Sequence, residues 1–151
     1  MLAAGCNGGD KSGSSDAANP LYNSNSKPTA EFGGKLIIPW LKGLYYHIAN
    51  EKLSPPEASR IYGYIGVTFY ESVIGGMPDY QTFEGQLTDL KDIPRPDKSL
   101  EYDWPTVMTT AAYFVIDELL ARHIGATTKT FHNIRDKQYA AREEAGVTAE
   151  V

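Results

Sequence analysis

The chain has 151 residues, a net charge of −5 at neutral pH and 42% hydrophobic residues, which is the composition of one globular domain. The acidic balance gives no electrostatic attraction to nucleic acid or to an anionic membrane surface, so we expect neither as a binding partner. No uncharged stretch approaches the ~20 residues that a transmembrane helix requires.

The N-terminus contains the only cysteine, Cys6, within the sequence LAAGC. Small residues before a cysteine are typical of the site that bacterial lipoprotein signal peptidase cleaves before lipid is attached. Only five residues precede Cys6, fewer than the ~7–15 apolar residues of a signal peptide. We therefore expect Cys6 to be a lipid-attachment site whose upstream signal is missing here; the alternative is a free thiol after a chance run of small residues.

A Gly-, Ser- and Asn-rich tract follows this cysteine and has little to bury, as in flexible tethers. We assign residues 1–34 to a lipoprotein-type N-terminus and a disordered tether that folding does not need. Lipid on Cys6 would anchor the protein to a bacterial envelope, in the periplasm or at the cell surface, and would be its one membrane contact.

The first two predicted helices have clear boundaries. Pro39 and Asn50 bracket the first helix. Ser54 and Glu57 have the spacing of a capping box that begins the second helix, and Gly75-Gly76 ends it. The second helix is apolar on nearly all sides, which is typical of a helix buried in a larger structure.

Two charged residues, Arg60 and Glu71, interrupt this apolar helix. They lie eleven residues apart, roughly 16 Å along a helix axis, so they cannot pair with each other. We expect each to be structural and to meet a partner from another helix or from the backbone, as charges near a core must.

A long connection over residues 77–102 precedes the third helix, which we predict to begin at the N-cap Asp103 and to end near His123. Glu118 and Arg122 are spaced as an i,i+4 ion pair, which we expect to be structural. A fourth, more polar helix begins near Thr127. No period-two pattern appears, so the predicted class is all-α: about four helices after a disordered tail.

Two of these four helices have apolar surface on most sides, and four helices cannot cover both. We therefore expect residues 35–151 to be the N-terminal helical part of a larger bundle, with a missing C-terminal helical half as partner. The oligomeric state is left open.

The sequence has no recognisable catalytic motif. Its three histidines, His47, His123 and His132, have no metal-ligand spacing, and neither a glycine-rich phosphate loop nor a serine nucleophile elbow occurs. We expect no catalytic residue, no metal and no cofactor in this chain.

A pattern of residues runs from the second predicted helix through the connection to the start of the third: Ala58, Arg60, Tyr70, Glu71, Val73, Gly76, Met77, Pro78, Tyr80, Gly85, Gln86, Leu87, Tyr102, Trp104 and Pro105. In this order and spacing the pattern resembles the N-terminal part of bacterial envelope members of the phosphatidic acid phosphatase type 2 / vanadium-dependent haloperoxidase superfamily. The resemblance covers roughly residues 37–147.

This resemblance implies an all-helical fold around an oxyanion site that holds phosphate, or vanadate as the cofactor of haloperoxidases. The family's site comes from three motifs, Lys-x6-Arg-Pro, Pro-Ser-Gly-His and Ser-Arg-x5-His, and none of them is present here. Arg95-Pro96 has Thr88 where the first motif requires lysine, and no histidine completes a third motif after Ser59-Arg60. Phosphatase and haloperoxidase both stay open, and the competing hypothesis is a non-catalytic helical binding or scaffolding lipoprotein of the envelope.

Overall fold

A computed structural model describes residues 19–121 and 126–148. These residues form four α-helices: α1 (Ile38–Asn50), α2 (Pro55–Glu71), α3 (Trp104–Leu119) and α4 (Ala126–Glu144). Three short 3₁₀ turns accompany them, at Thr29–Glu31, Gly34–Ile37 and Ile74–Gly76. The described residues contain no β-strand, so the prediction of an all-α fold with four helices is confirmed.

The helices begin where the capping residues indicated. The Ser54 backbone N–H donates to the Glu57 carboxylate at 2.9 Å, which forms half of the capping box of α2. Asp103 accepts a hydrogen bond from the backbone N–H of Thr106 at 3.1 Å and so caps α3. The predicted end of α3 at His123 is wrong, because the helix ends at Leu119.

The helices pack in a defined order: α3 contacts both α4 and α2, and α1 contacts α4. Trp40 of α1 stacks on Phe131 of α4 with 6.1 Å between ring centroids. Gly43 allows this approach, because a Cβ atom there would lie 2.8 Å from the Phe131 ring. The core consists of buried apolar side chains from all four helices and the residue after α3: Trp40, Leu44, Ile61, Ile65, Met108, Ala112, Ile116, Leu120 and Phe131.

A single polar side chain, Gln138 of α4, joins three parts of this core. Its Oε1 accepts hydrogen bonds from Trp40 Nε1 at 2.9 Å and from Thr109 Oγ1 at 2.8 Å. Its Nε2 donates to the backbone carbonyl of Leu36 at 2.7 Å. A buried amide with all these partners satisfied fixes the relative positions of α1, α3 and α4.

The N-terminal boundary of the packed chain differs from the prediction. Residues 1–34 were assigned to a dispensable tether, but the side chains of Asn19, Leu21, Asn23 and Ser26 are buried. Within the described residues, packing therefore includes Asn19 to Ser26 and is not confined to the chain from Lys35 onward. The composition was misleading because asparagine amides, polar as they are, can enter a protein interior when they find hydrogen-bond partners there. Residues 1–18, with Cys6, lie outside the described residues.

The connection over residues 77–102 is organised by two carboxylates. Glu71 at the end of α2 accepts hydrogen bonds from Thr82 Oγ1 at 2.7 Å and from the backbone N–H of Phe83 at 2.6 Å. Glu84 then pairs with Arg95 at 3.2 Å. The connection is therefore an ordered segment held by the end of α2.

None of the helices within residues 19–121 and 126–148 combines the length and apolar character that crossing a bilayer requires.

Candidate functional site

An open apolar groove of about 270 Å³ lies between α2 and α3. Two aromatic rings dominate it: Tyr64 of α2 is 54% exposed and Phe114 of α3 is 62% exposed. The remaining lining residues are Val115, Glu118 and Leu119 of α3. Large rings exposed side by side on a groove are typical of surfaces that contact another molecule or another part of a protein.

Two glycines leave a bare face on α2, which the helical period turns away from Tyr64. Gly63 and Gly66 are both exposed, and a Cβ atom built at either position would meet nothing within 4 Å. Glycine inside a helix costs about 1 kcal/mol relative to alanine, and the packing of this chain does not require it at these two positions. The glycines leave room for another backbone to approach α2 closely.

The charged residues predicted on these helices occupy different environments. Glu118 is exposed and lines the groove, while Arg122 lies outside the described residues, so their predicted ion pair stays a prediction. Arg60 was expected to meet a structural partner, and this is wrong within the described part of the chain. It is exposed on α2 and has no ion pair or side-chain hydrogen bond there. A solvated arginine needs no partner, because water already satisfies its charge.

Glu71 lies at the other end of α2, half-buried and hydrogen-bonded to the connection as expected of a charge near a core. Next to it, the Tyr70 hydroxyl donates to the backbone carbonyl of Gln81 at 2.7 Å. Burial, followed by the neighbouring charges of Glu71 and Tyr80, raises the pKa of Tyr70 above its usual value. Tyr70 therefore remains a protonated donor at neutral pH, which suits a structural role.

A second cluster of titratable groups joins α3 to α4. The Tyr113 hydroxyl and His132 Nε2 share a hydrogen bond of 2.7 Å, and the Arg135 guanidinium lies 4.3 Å from the centroid of the Tyr113 ring. The hydrogen bond that Arg135 donates to the Asp136 carboxylate raises the pKa of Arg135. These groups satisfy one another at the edge of the helix pair, so we interpret them as a polar link between α3 and α4.

The other histidines do not extend this cluster into a reaction centre. His47 is buried in α1, and His123 lies outside the described residues. Within the part of the chain that the structure describes, no three His, Cys, Asp or Glu side chains come together as a metal site requires. The groove offers apolar surface, and the Tyr113–His132 cluster offers hydrogen bonding.

Sequence reasoning missed two sets of residues that the structure brings to buried positions. Gln138 lies at i+7 from Phe131 and i+4 from Ile134, so its position on the inner face of α4 was readable from the helical period. Asn19 and Asn23 flank Leu21, the one aliphatic residue in that polar stretch. The presence of this aliphatic side chain was the one feature of the sequence that indicated packing of the stretch against the helices.

Comparisons with protein-family models, with functionally characterised proteins and with solved structures find no match to this chain.

Proposed function

We propose that this chain forms the N-terminal helical part of a phosphatidic acid phosphatase type 2 / vanadium-dependent haloperoxidase-like protein. In this proposal a C-terminal helical half packs on the α2–α3 groove and supplies the catalytic residues. The motif resemblance over residues 37–147 supports the family. The groove supports the existence of a covering element.

The observation that carries the proposal is the pair of exposed aromatic rings at the groove. Tyr64 is 54% and Phe114 is 62% exposed. Covering aromatic surface is strongly favourable, at about 25 cal/mol per Å² of apolar area. An element packed on the groove would bury both rings, and the free space at Gly63 and Gly66 would admit a close neighbour on another face of α2.

In the intact protein the bound oxyanion would be phosphate or vanadate, and the reaction would be phosphate-ester hydrolysis or vanadate-dependent halide oxidation. Cationic side chains and backbone N–H groups neutralise such oxyanions. Those groups belong to the three family motifs, and none of the 151 residues of this chain is assigned to them. The role of this chain is to provide the helical layer against which that site is built.

The direct test extends the chain through its genomic reading frame and compares it with the 151-residue chain. We expect the extension to carry the three motifs, and we expect only the extended protein to bind orthovanadate in a titration followed by vanadium NMR. Phosphatase and peroxide-dependent bromide-oxidation assays then separate the two activities. A genuine stop codon, or an extension without the motifs that binds no vanadate, would refute the proposal.

The proposed lipid anchor has its own test. In cells that carry the intact upstream signal, we expect the wild-type protein in the membrane fraction and Cys6→Ser in the soluble fraction. Identical fractionation of the two proteins would eliminate Cys6 as a lipid-attachment site, and it would leave the family proposal unaffected.

A second candidate is a non-catalytic helical binding or scaffolding lipoprotein. The observation that favours it is the completeness of the polar contacts between α3 and α4. Arg142 pairs with Asp103 at 2.7 Å, and Gln138 satisfies three partners. For this candidate the groove would bind another protein, and the extended reading frame would contain none of the three motifs.

A further inference from the structure

The N-terminal segment lies in a cleft of the helical domain as a bound peptide would. We call residues 19–26 the clip. Its cleft is formed by residues 74–78, which include the 3₁₀ turn Ile74–Gly76, and by residues 97–102. Two backbone hydrogen bonds hold the clip: Asn19 N–H donates to the Pro78 carbonyl at 3.2 Å, and Asn23 N–H donates to the Gly75 carbonyl at 2.8 Å.

Side chains of the clip add further contacts: Asn25 Nδ2 donates to the Lys98 carbonyl at 2.7 Å, Ser26 Oγ accepts from the Tyr102 N–H at 2.7 Å, and the two buried asparagines each make two more. Asn19 Nδ2 donates to the carbonyls of Ile74 at 2.7 Å and Met77 at 2.9 Å. Asn23 Nδ2 donates to the carbonyls of Asp97 at 3.1 Å and Leu100 at 2.9 Å. Asn19 is 4% exposed and Asn23 is fully buried. Each amide group therefore uses both of its N–H donors on one part of the cleft, which a hydroxyl or carboxylate cannot do.

The same two side chains also shape the clip. Asn19 Oδ1 accepts from the Leu21 N–H at 2.9 Å, and Asn23 Oδ1 accepts from the Asn25 N–H at 2.9 Å. These asparagine turns fix the backbone locally, which lowers the entropy lost when the segment is bound. Between them the side chain of Leu21 is buried, with 4% of its surface exposed.

The cleft is organised by contacts that do not involve the clip. In the turn, Gly76 N–H and Met77 N–H donate to the carbonyls of Val73 and Ile74, both at 3.0 Å. On the other wall, Tyr102 accepts at its hydroxyl from the Asp97 N–H at 2.9 Å. The carbonyl acceptors are therefore held in place by their own segments, as in a binding site formed before its ligand arrives.

We propose that this cleft is a peptide-binding site that recognises a segment of two successive turns, with two asparagine amides four residues apart and an aliphatic side chain between them. Its ligand is the chain's own clip, which binds by these contacts independently of its covalent connection to α1. A Gln side chain in place of either Asn is one methylene too long for the paired carbonyls.

The test cuts the connection in the full chain and asks whether the clip still binds. A specific protease site is inserted between Gly33 and Gly34, because the Cβ positions of both are free of neighbours. After cleavage, size-exclusion chromatography shows whether the N-terminal fragment stays bound. A fluorescent synthetic peptide of residues 19–32 is then added and its exchange into the site is followed by anisotropy, while circular dichroism reports the helix content.

We expect the cleaved fragment to be retained and the labelled peptide to replace it without loss of helix content. Asn23→Ala in the peptide should weaken binding at least tenfold, because two partly buried carbonyls lose their donors. Ser24→Ala, at an exposed position of the clip, is the matched control and should bind like the wild-type peptide.

Three results would overturn the proposal. One is release of the fragment from a folded domain that then binds no peptide. Another is unfolding of the helices when the fragment leaves, which would make the clip an inseparable part of the core. The third is equal binding of the wild-type and Asn23→Ala peptides, which would exclude recognition of the amide.

Discussion

The two sides of helix α3 are built differently. Towards α4, polar side chains meet in pairs: Thr109 with Gln138 at 2.8 Å, Thr110 with Tyr139 at 2.7 Å, and Asp103 with Arg142. Towards α2, the contact consists of apolar side chains, Ile61 and Ile65 against Met108, Ala112 and Ile116. Beyond that apolar contact, the exposed rings of Tyr64 and Phe114 border an open groove.

This difference indicates which side of α3 is fully packed by the described residues. Buried hydrogen bonds require one alignment of the helices and are costly to leave unpaired, so the α3–α4 side admits few alternatives. Apolar side chains can pack in several relative positions of two helices, and another apolar surface can be added to such a contact. We infer that the α4 side of α3 is complete in itself and that the α2 side is prepared for a covering element.

The largest expected effect comes from Gln138 on the complete side. Gln138→Ala removes the partners of Trp40 Nε1, Thr109 Oγ1 and the Leu36 carbonyl, all of which depend on this amide. Because buried groups left unpaired cost about 1–3 kcal/mol each and relax in part, we expect unfolding in urea to lose about 3 kcal/mol. Lys137→Ala at the exposed neighbouring position is the control, with a change within about 0.5 kcal/mol. Equal losses for both variants would show that the hydrogen bonds of Gln138 do not hold α1, α3 and α4 together.

A somewhat smaller loss is expected at Gly76, under the Trp104 ring. A Cβ atom there would clash with Trp104 Nε1 and with Thr29 Oγ1. Because Trp104 is buried and its ring cannot move away freely, we expect Gly76→Ala to cost about 2–3 kcal/mol in thermal or urea unfolding. A neutral outcome would mean that the turn and the ring can separate, and would weaken the account of the cleft that binds the clip.

The Asp103–Arg142 pair is expected to contribute less, and only above acidic pH. Burial alone would raise the pKa of Asp103, but hydrogen bonds from Arg142 and Thr106 hold it below its ordinary value of 3.8. A depressed folded-state pKa stabilises the protein above the unfolded-state value, and this stability is lost as the pH falls through the folded-state pKa.

The variant Arg142→Met should therefore lose about 1.5 kcal/mol at neutral pH. The difference from wild type should shrink as the pH falls below the ordinary aspartate pKa of 3.8 and through the lower folded-state pKa of Asp103. Arg142→Lys keeps the charge and loses the bidentate contact, so its free energy of unfolding should lie between those of wild type and Arg142→Met. A difference that stays constant across acid titration would show that the pair is not what stabilises this end of the helices.

The smallest expected effect is a gain in stability, from a substitution on the exposed face of α2. Gly63→Ala should stabilise the 151-residue chain by up to about 1 kcal/mol, because helix propensity improves and the new Cβ meets no neighbour. In the extended protein the same change should weaken packing onto α2. A loss of stability in the 151-residue chain would show that the glycine is needed within this chain.

The sequence predicted the fold class and the beginnings of α2 and α3 because capping residues act locally. Ser54, Glu57 and Asp103 need only the first turn that follows them. Arg60 and the clip residues were predicted wrongly because their environment depends on distant residues. Asn19 and Asn23 are buried by carbonyls more than fifty residues away in the chain, and composition carries no record of such contacts. The groove was predictable only as an excess of apolar surface, without its location.

The most direct test of the central claim, that the α2–α3 groove is an uncovered interface, is the binding of a hydrophobic fluorescent dye to the 151-residue chain. We predict dye binding and self-association for wild type, and loss of most of both in the double variant Tyr64→Ser/Phe114→Ser. The matched variant Tyr45→Ser/Tyr46→Ser removes two equally exposed rings from α1 and should behave like wild type. A monomeric wild-type chain that melts sharply and binds no dye would contradict the claim.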